Sequence, residues 1–328
     1  PHPSYGNQLN EEGVPGVPGE GRAILRWQEK TTTLADGTSI RLGSPSVEFA
    51  ELAYGRMDAT VMTSPRVGPP VYGLGLLEAV PLSTLQKIAA EQSRYGVRGS
   101  FNQVWDEAQQ KFVPGRFGWK ANSPNLRQQI AEAFIGDLGV TTPLFPQTQC
   151  AETQSDCRNA AKAEHQPELS AERLVDIDFY TAHLAPPPRR NTADPAVRRG
   201  EQWFSEAGCA VCHIPKLKTA PHPRFPNRLP AQNIEPYTDL LLHDMGSGLS
   251  DGRPDFSASG SQWRTPPLWG IGLVPIVNGH SQYLHDGRAR NLEEAIVWHD
   301  GEALAARTRY GELSLDQRRE LLAFLQSL

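Results

Sequence analysis

No run of apolar residues in this chain approaches the roughly 18 needed to cross a bilayer as a helix, so no membrane span is expected. Positive charge is also in short supply. The chain has 32 Lys and Arg against 37 Asp and Glu, a formal charge of −5, and it lacks the basic stripe that a nucleic-acid partner would require. Hydrophobic residues make up only 38% of the 328 residues, while 28 prolines and 29 glycines interrupt the sequence. That balance points to a loop-rich fold rather than long regular elements. There is no secretory leader, and the first residue is Pro1. An export signal is therefore expected to have been removed or to lie outside the sequence.

Cysteines are few, four in all, and they form two unlike pairs. Cys209 and Cys212 lie in Cys-Ala-Val-Cys-His, 209–213. Two thiols at this spacing can each add to one haem vinyl group, and the adjoining His213 then sits beneath the iron as proximal ligand. A zinc or redox C-x-x-C would need further ligands at fixed spacing or a βαβ context, and neither is visible. Cys150 and Cys157 sit in a polar stretch with no histidine at ligand spacing. A disulfide between them suits the oxidising compartment that a c-type haem implies, with free thiols as the alternative.

The sixth ligand sets the chemistry, since His or Met gives an electron-transfer centre and an open position a peroxide-binding one. The candidates downstream are His222, His243, Met245, His280, His285 and His299. Met245 lies in the Gly-containing run Leu-Leu-His-Asp-Met-Gly, and His299 ends an apolar-periodic helix. The residues alone leave these two open.

Periodicity and caps predict a short hairpin over Ala23–Leu42 with Asp36-Gly37 at its turn. They predict helices at Leu82–Ser93, Ser123–Leu138, Ser170–Leu184, Pro195–Ala207, Asn291–His299 and Ser314–Ser327. Residues 150–170 read as a polar excursion. The breaker Ala185-Pro-Pro-Pro-Arg-Arg-Asn191 divides the chain into 1–185 and 186–328. Pro69-Pro-Val-Tyr-Gly-Leu-Gly-Leu76 reappears as Pro266-Pro-Leu-Trp-Gly-Ile-Gly-Leu273, which suggests a duplicated domain.

Several longer runs resemble one family. They are Trp263-Arg-Thr-Pro-Pro-Leu, Tyr283-Leu-His-Asp-Gly-Arg288, Asn291-Leu-Glu-Glu-Ala-Ile-Val-Trp-His299, Gly115-Arg-Phe-Gly-Trp-Lys-Ala-Asn122, Gly73-Leu-Gly-Leu-Leu-Glu-Ala79 and Leu241-Leu-His-Asp-Met-Gly246. Together they look like the di-haem oxidoreductase branch of the bacterial di-haem cytochrome c peroxidase superfamily, over most of residues 5–328. The resemblance implies a mainly α, loop-rich fold of two cytochrome c-like domains with a small β-hairpin near the N-terminus. Residues 1–185 would be a cytochrome c-like domain without its own C-x-x-C-H, and 186–328 the c-type haem domain.

The family's distal-ligand position falls on His299, so the resemblance implies a His213/His299 pair, with Met245 as the alternative. It places His285, Trp263 and Arg264 at the haem, with His285 hydrogen-bonding a propionate. Glu78 would correspond to an acid–base carboxylate and Trp119 to an electron relay, with an ion pair and a core tryptophan as their plainer readings. The family's second C-x-x-C-H is absent here. That leaves one covalent haem c in this chain, with a second haem and an interdomain calcium ion implied only by the resemblance.

The resulting expectation is a periplasmic oxidoreductase. It would take electrons from a small donor protein at a bis-His haem and pass them toward a peroxide- or substrate-reducing haem; a homodimer is common in the family. The alternatives are a mono-haem electron-transfer cytochrome with no substrate of its own, and a haem-bearing partner or maturation protein.

Overall fold

The N-terminal hairpin is longer than its sequence signal. In a computed structural model that describes residues 2–160 and 165–328, strand β1 (Arg22–Thr33) pairs in antiparallel register with β2 (Ser39–Ala50) along its whole length. Gly37, at φ 86°, makes the left-handed turn residue. The hairpin was partly hidden from periodicity because nearly all of β1 is exposed. Only β2 has a buried side, where Ile40 and Leu42 enter the core.

Helices α1 (Leu74–Glu78) and α2 (Leu82–Gln92) follow, then the ribbon β3 (Gln103–Asp106) and β4 (Lys111–Pro114), then α3 (Leu126–Leu138). Helix α3 starts three residues later than predicted. Its N-cap is Asn125, which accepts from Gln128 N, while Ser123 is bridged back to Phe117. Short α4 (Ser155–Asn159) lies in the polar excursion, of which 161–164 are outside the described residues. Cys150 and Cys157 are joined as a disulfide, with Cα atoms 5.8 Å apart. Helix α5 (Ala171–Ala182) is capped by Ser170, and α6 (Pro195–Glu206) by Asp194 with Pro195 at the first helical position.

Beyond α6 the chain forms two small ribbons, β5 (Leu217–Lys218) with β6 (Asn233–Ile234) and β7 (Leu242–Asp244) with β8 (Gln262–Arg264). Helices α7 (Val274–Val277), α8 (Leu292–Trp298), α9 (Leu304–Glu312) and α10 (Leu315–Ser327) complete the chain. Asn291 caps α8, and a Ser314/Gln317 capping box starts α10. Helices α6 and α10 pack closely because Gly200 lets the α10 backbone approach; a Cβ there would strike Glu320 O.

The mainly α expectation is therefore corrected. The chain is 32% helical and 16% strand, and the described residues form four small antiparallel sheets joined by long loops. Six of the strands are four residues or shorter, too short to leave a period-2 apolar pattern. They form because irregular segments pair with irregular segments to satisfy backbone groups that the interior hides from water.

The chain repeats itself in three dimensions well beyond the eight-residue motif. Phe117 bridges Ser123, and Tyr283 bridges Ala289. Within these loops Gly118 and Ala121 have φ of 80° and 48°, and their counterparts Leu284 and Gly287 have 69° and 74°. Each loop leads into an Asn-capped helix, α3 or α8. Each half ends in a Ser-capped helix, α5 or α10. The second glycine of each copied motif packs on the end of that helix, Gly75 on Ala182 O and Gly272 on Gln326 O. The copies also face each other. Trp269 covers Gly73 and Tyr72 covers Gly270, both glycines being left-handed at φ 74° and 76°, and Tyr72 Oη donates to Trp269 O at 3.3 Å.

Among the described residues two large apolar cores result, beside a small cluster of Ala121, Leu242 and Ala258, and each large core draws on both sides of Ala185. One joins Ile40 and Leu42 to Val197, Phe204, Trp298, Phe324 and their neighbours. The other joins Leu77, Leu126 and Leu174 to Leu217, Leu241 and Trp269.

Candidate haem site

Helix α6 runs into Gly208, whose φ of 87° turns the chain into a tight helical turn, Cys209–Val211. His213 N donates to Cys209 O at 3.0 Å, so the motif closes on itself and both sulfurs and the imidazole line one cavity. The cavity has a volume of about 540 Å³, within the range of cofactor sites. Its walls are largely apolar, with Phe204, Leu249, Leu284, Ile296 and Leu321 among them.

His213 and His299 both line this cavity, with ring centres 6.5 Å apart and ring planes at 51°. Each Nδ1 donates to a backbone carbonyl, His213 to Tyr237 O at 2.9 Å and His299 to Ala295 O at 2.7 Å. These bonds fix the tautomer and leave each Nε2 with its lone pair. Two imidazoles on opposite sides of one metal, at bond lengths of about 2 Å, have ring centres about 6 Å apart. Burial lowers the pKa of both rings, that of His213 to about 4, which favours the neutral, ligating form. Tyr237 is held at φ 52° to present its carbonyl, and its hydroxyl is tied to Glu201 and Arg189.

The two cysteines are free thiols in this structure. Burial pushes Cys209 up to about 12 and also raises Cys212, so neither is a ready thiolate.

Arg264 lines the cavity with its guanidinium buried. It donates to Gly118 O and Thr265 O, and no carboxylate pairs with it among the described residues. Burial lowers it to about 10. The nearby Asp239 carboxylate opposes that shift without pairing directly, and a buried cation with no direct ion pair suits an acidic group on a bound cofactor. Trp263 and His285 stack at 3.6 Å and 13°. Trp263 Nε1 donates to Leu249 O, and the opposite approach to the indole is taken by Lys120 Nζ at 4.4 Å. Burial lowers His285 to about 4. Trp119 also lines the cavity, donating from Nε1 to Val67 O at 2.7 Å. It occupies the position in the first half that His285 occupies in the second.

The remaining candidates lie as follows. Met245 lines the cavity. His243 does too, but both its nitrogens are engaged by carboxylates. His222 is buried elsewhere, against Glu78, and His280 is outside the cavity lining. Glu78 is also outside it. Its carboxylate is held by His222, Arg224 and Leu126 N. Burial opposes its charge, but these partners prevail and hold it at about 2. This is an ion pair joining the two halves, and it leaves no proton to exchange near neutral pH.

Thiols, two nearby imidazoles and a buried guanidinium around one apolar cavity are a donor set that fits haem. A sequence profile of the family described as "Di-haem oxidoreductase, putative peroxidase" matches residues 3–328, and the chain belongs to that family. A comparison with curated proteins found no match. Among solved structures the chain is similar to a chain of Kuenenia stuttgartiensis hydrazine synthase, determined under 20 bar xenon. The identity is 16% and the TM-score 0.38, over 84% of this chain and 99% of that one, too low a likeness to argue from.

Proposed function

We propose that this chain is an exported c-type haem oxidoreductase whose iron is held between His213 and His299. The observation that carries the reading is the pair of nearby imidazoles, each turned by a backbone carbonyl so that Nε2 points away from its anchor, beside Cys209 and Cys212. Each thiol would add across one vinyl double bond, sulfur to one carbon and hydrogen to the other, with no oxidant needed. Arg264 would neutralise a propionate, and His285, kept flat by Trp263, would donate to one. We take 1–185 and 186–328 as the two duplicated units, with the haem on the second.

When bound, such a haem supplies one-electron transfer. The protein's part would be to hold the His213 and His299 rings neutral, exclude water with the apolar walls of the cavity, and pair the acid groups of the cofactor. A small exported donor protein would deliver electrons, and Trp119 is the relay toward a second, substrate- or peroxide-reducing haem. Glu78 takes no part in this chemistry. The second reading, electron transfer without a substrate of its own, is favoured by the two imidazoles at the cavity, which together would leave no open site for a substrate on the iron.

Pyridine haemochrome combined with intact mass on protein from its native source tests both. One covalent haem per chain, low-spin and unreactive toward CO, supports the bis-His centre. Two haems would make peroxide reduction the working activity. Absence of covalent haem would overturn the reading.

A further inference from the structure

A run of buried polar groups at the edge of the cavity, His243 among them, has been given no role so far. Gln92, the last residue of α2, donates from Nε2 to Val211 O at 2.9 Å and to Asp239 Oδ2 at 2.6 Å. The same Asp239 oxygen accepts from His243 Nε2 at 2.8 Å. His243 Nδ1 donates to Glu302 Oε2 at 2.9 Å. Glu302 in turn accepts from Arg98 N at 2.9 Å and Asp244 N at 3.4 Å. Gln92, Asp239 and His243 are 3%, 0% and 2% exposed.

The Cys212 sulfur, an Asp239 oxygen and a His243 nitrogen also lie within 4.8 Å of one another, a spacing that could suggest a metal. The hydrogen bonds favour a different role. Both ring nitrogens of His243 face carboxylate oxygens, so both carry protons and neither has a lone pair to give. His243 is a doubly donating strut.

The two ends of the strut matter. Val211 lies within the attachment loop, two residues before His213. Glu302 lies three residues after His299. The run of bonds therefore spans the two loops that carry the two imidazoles, and Gln92 anchors it to the first half of the chain. Charge-assisted hydrogen bonds of this kind are short and directional, and removing His243 would leave Asp239 tied to Gln92 while cutting the link from there to Glu302.

We propose that His243 is a positioning residue that fixes loop 299–302 against loop 209–213, so that His299 stays within bonding reach of the metal opposite His213. The proposal rests on the bis-His reading above. Without the strut, loop 299–302 would keep only the bonds of Glu302 to Arg98 N and Asp244 N, and would move outward often enough to leave the distal position open part of the time.

The test uses haem-loaded protein and three readouts: haem per chain, spin state, and CO binding to the reduced form. The variants are His243→Gln, which keeps one donor toward Asp239 but ends the second, and Glu302→Gln, which keeps the outline of a mostly buried side chain and removes the acceptor charge. Each is expected to keep one haem per chain, to show a high-spin fraction, and to bind CO about tenfold more tightly than the parent, because apparent affinity follows the fraction of open sites. Added imidazole should restore the low-spin spectrum, which a general loss of packing would not allow. If His243→Gln fails to fold, Glu302→Gln decides alone. Variants that load haem and stay low-spin and closed to CO would overturn the strut. A parent protein that itself binds CO would overturn the bis-His reading instead.

Discussion

The imidazoles of His213 and His299 stand 6.5 Å apart, each anchored through Nδ1 to a carbonyl of its own neighbourhood, Tyr237 O and Ala295 O. The two anchors come from different parts of the chain, so the spacing is a property of the packed structure. If both rings ligate, His299→Ala should convert a low-spin haem into a five-coordinate one that binds CO, without loss of the covalent attachment. His299→Met should stay low-spin and shift the midpoint potential upward, because a thioether favours ferrous iron more than an imidazole does. Optical spectra and a potentiometric titration read both outcomes.

Cys209 and Cys212 should act separately. Cys209→Ser should retain haem through one thioether, and Cys212→Ser likewise. The double substitution should leave haem that acid-acetone extracts. Haem that stays covalently bound in the double variant would show that the attachment lies elsewhere.

The Glu78 cluster should make the fold acid-sensitive. Glu78 is held at about 2 against an ordinary 4.5. A lowered carboxylate stabilises the fold fully above its unfolded value, and the contribution fades as pH falls from about 4.5 through 2. A shift of this size corresponds to about 3 kcal/mol at neutral pH. Glu78→Gln should lower stability toward denaturant at pH 7 by an amount of that order, and should flatten its pH dependence between 2 and 4.5. Haem spectra should stay as in the parent, since Glu78 lies outside the cavity.

The facing repeats give a matched pair of substitutions. Gly73 is covered by Trp269 and Gly270 by Tyr72, and both glycines are left-handed. Gly73→Ala and Gly270→Ala should each cost roughly 1–3 kcal/mol, from a Cβ forced against an aromatic ring and from backbone strain. Denaturant midpoints measure both. A neutral effect at either position would mean that the aromatic ring moves aside and that the contact does not clamp the halves.

What could be read in the sequence was local. Asn291 and Ser314 lie next to the helices they cap, and the helices start at Leu292 and Leu315. The cap of α3 was misplaced by two residues because Ser123-Pro124 looks like a start signal, whereas Ser123 is drawn into a bridge with Phe117 that only the folded chain makes. The short ribbons β3 to β8 left no trace, since pairing between distant irregular segments has no period. In the site, the Cys-Ala-Val-Cys-His motif was visible as a five-residue word. Tyr237 O and Ala295 O were not, because a carbonyl is common to every residue and only position makes it a partner. The strut through His243 was equally hidden. His243 stood among the possible ligands, and its two carboxylate neighbours, four and 59 residues away, favour a different role.

The sequence by itself determined the chemistry on offer. It supplied two thiols and an imidazole at one fixed spacing, a duplicated turn, and helices whose caps and apolar faces lie in consecutive residues. It left His299 and Met245 open as partners for His213. Only the tertiary structure brought the His299 ring near His213, set Trp269 on Gly73, and turned Glu78 into an ion pair. Those placements depend on how two cores close around residues from both halves of the chain, and contact between residues so far apart follows from the packing of the whole rather than from any stretch of it.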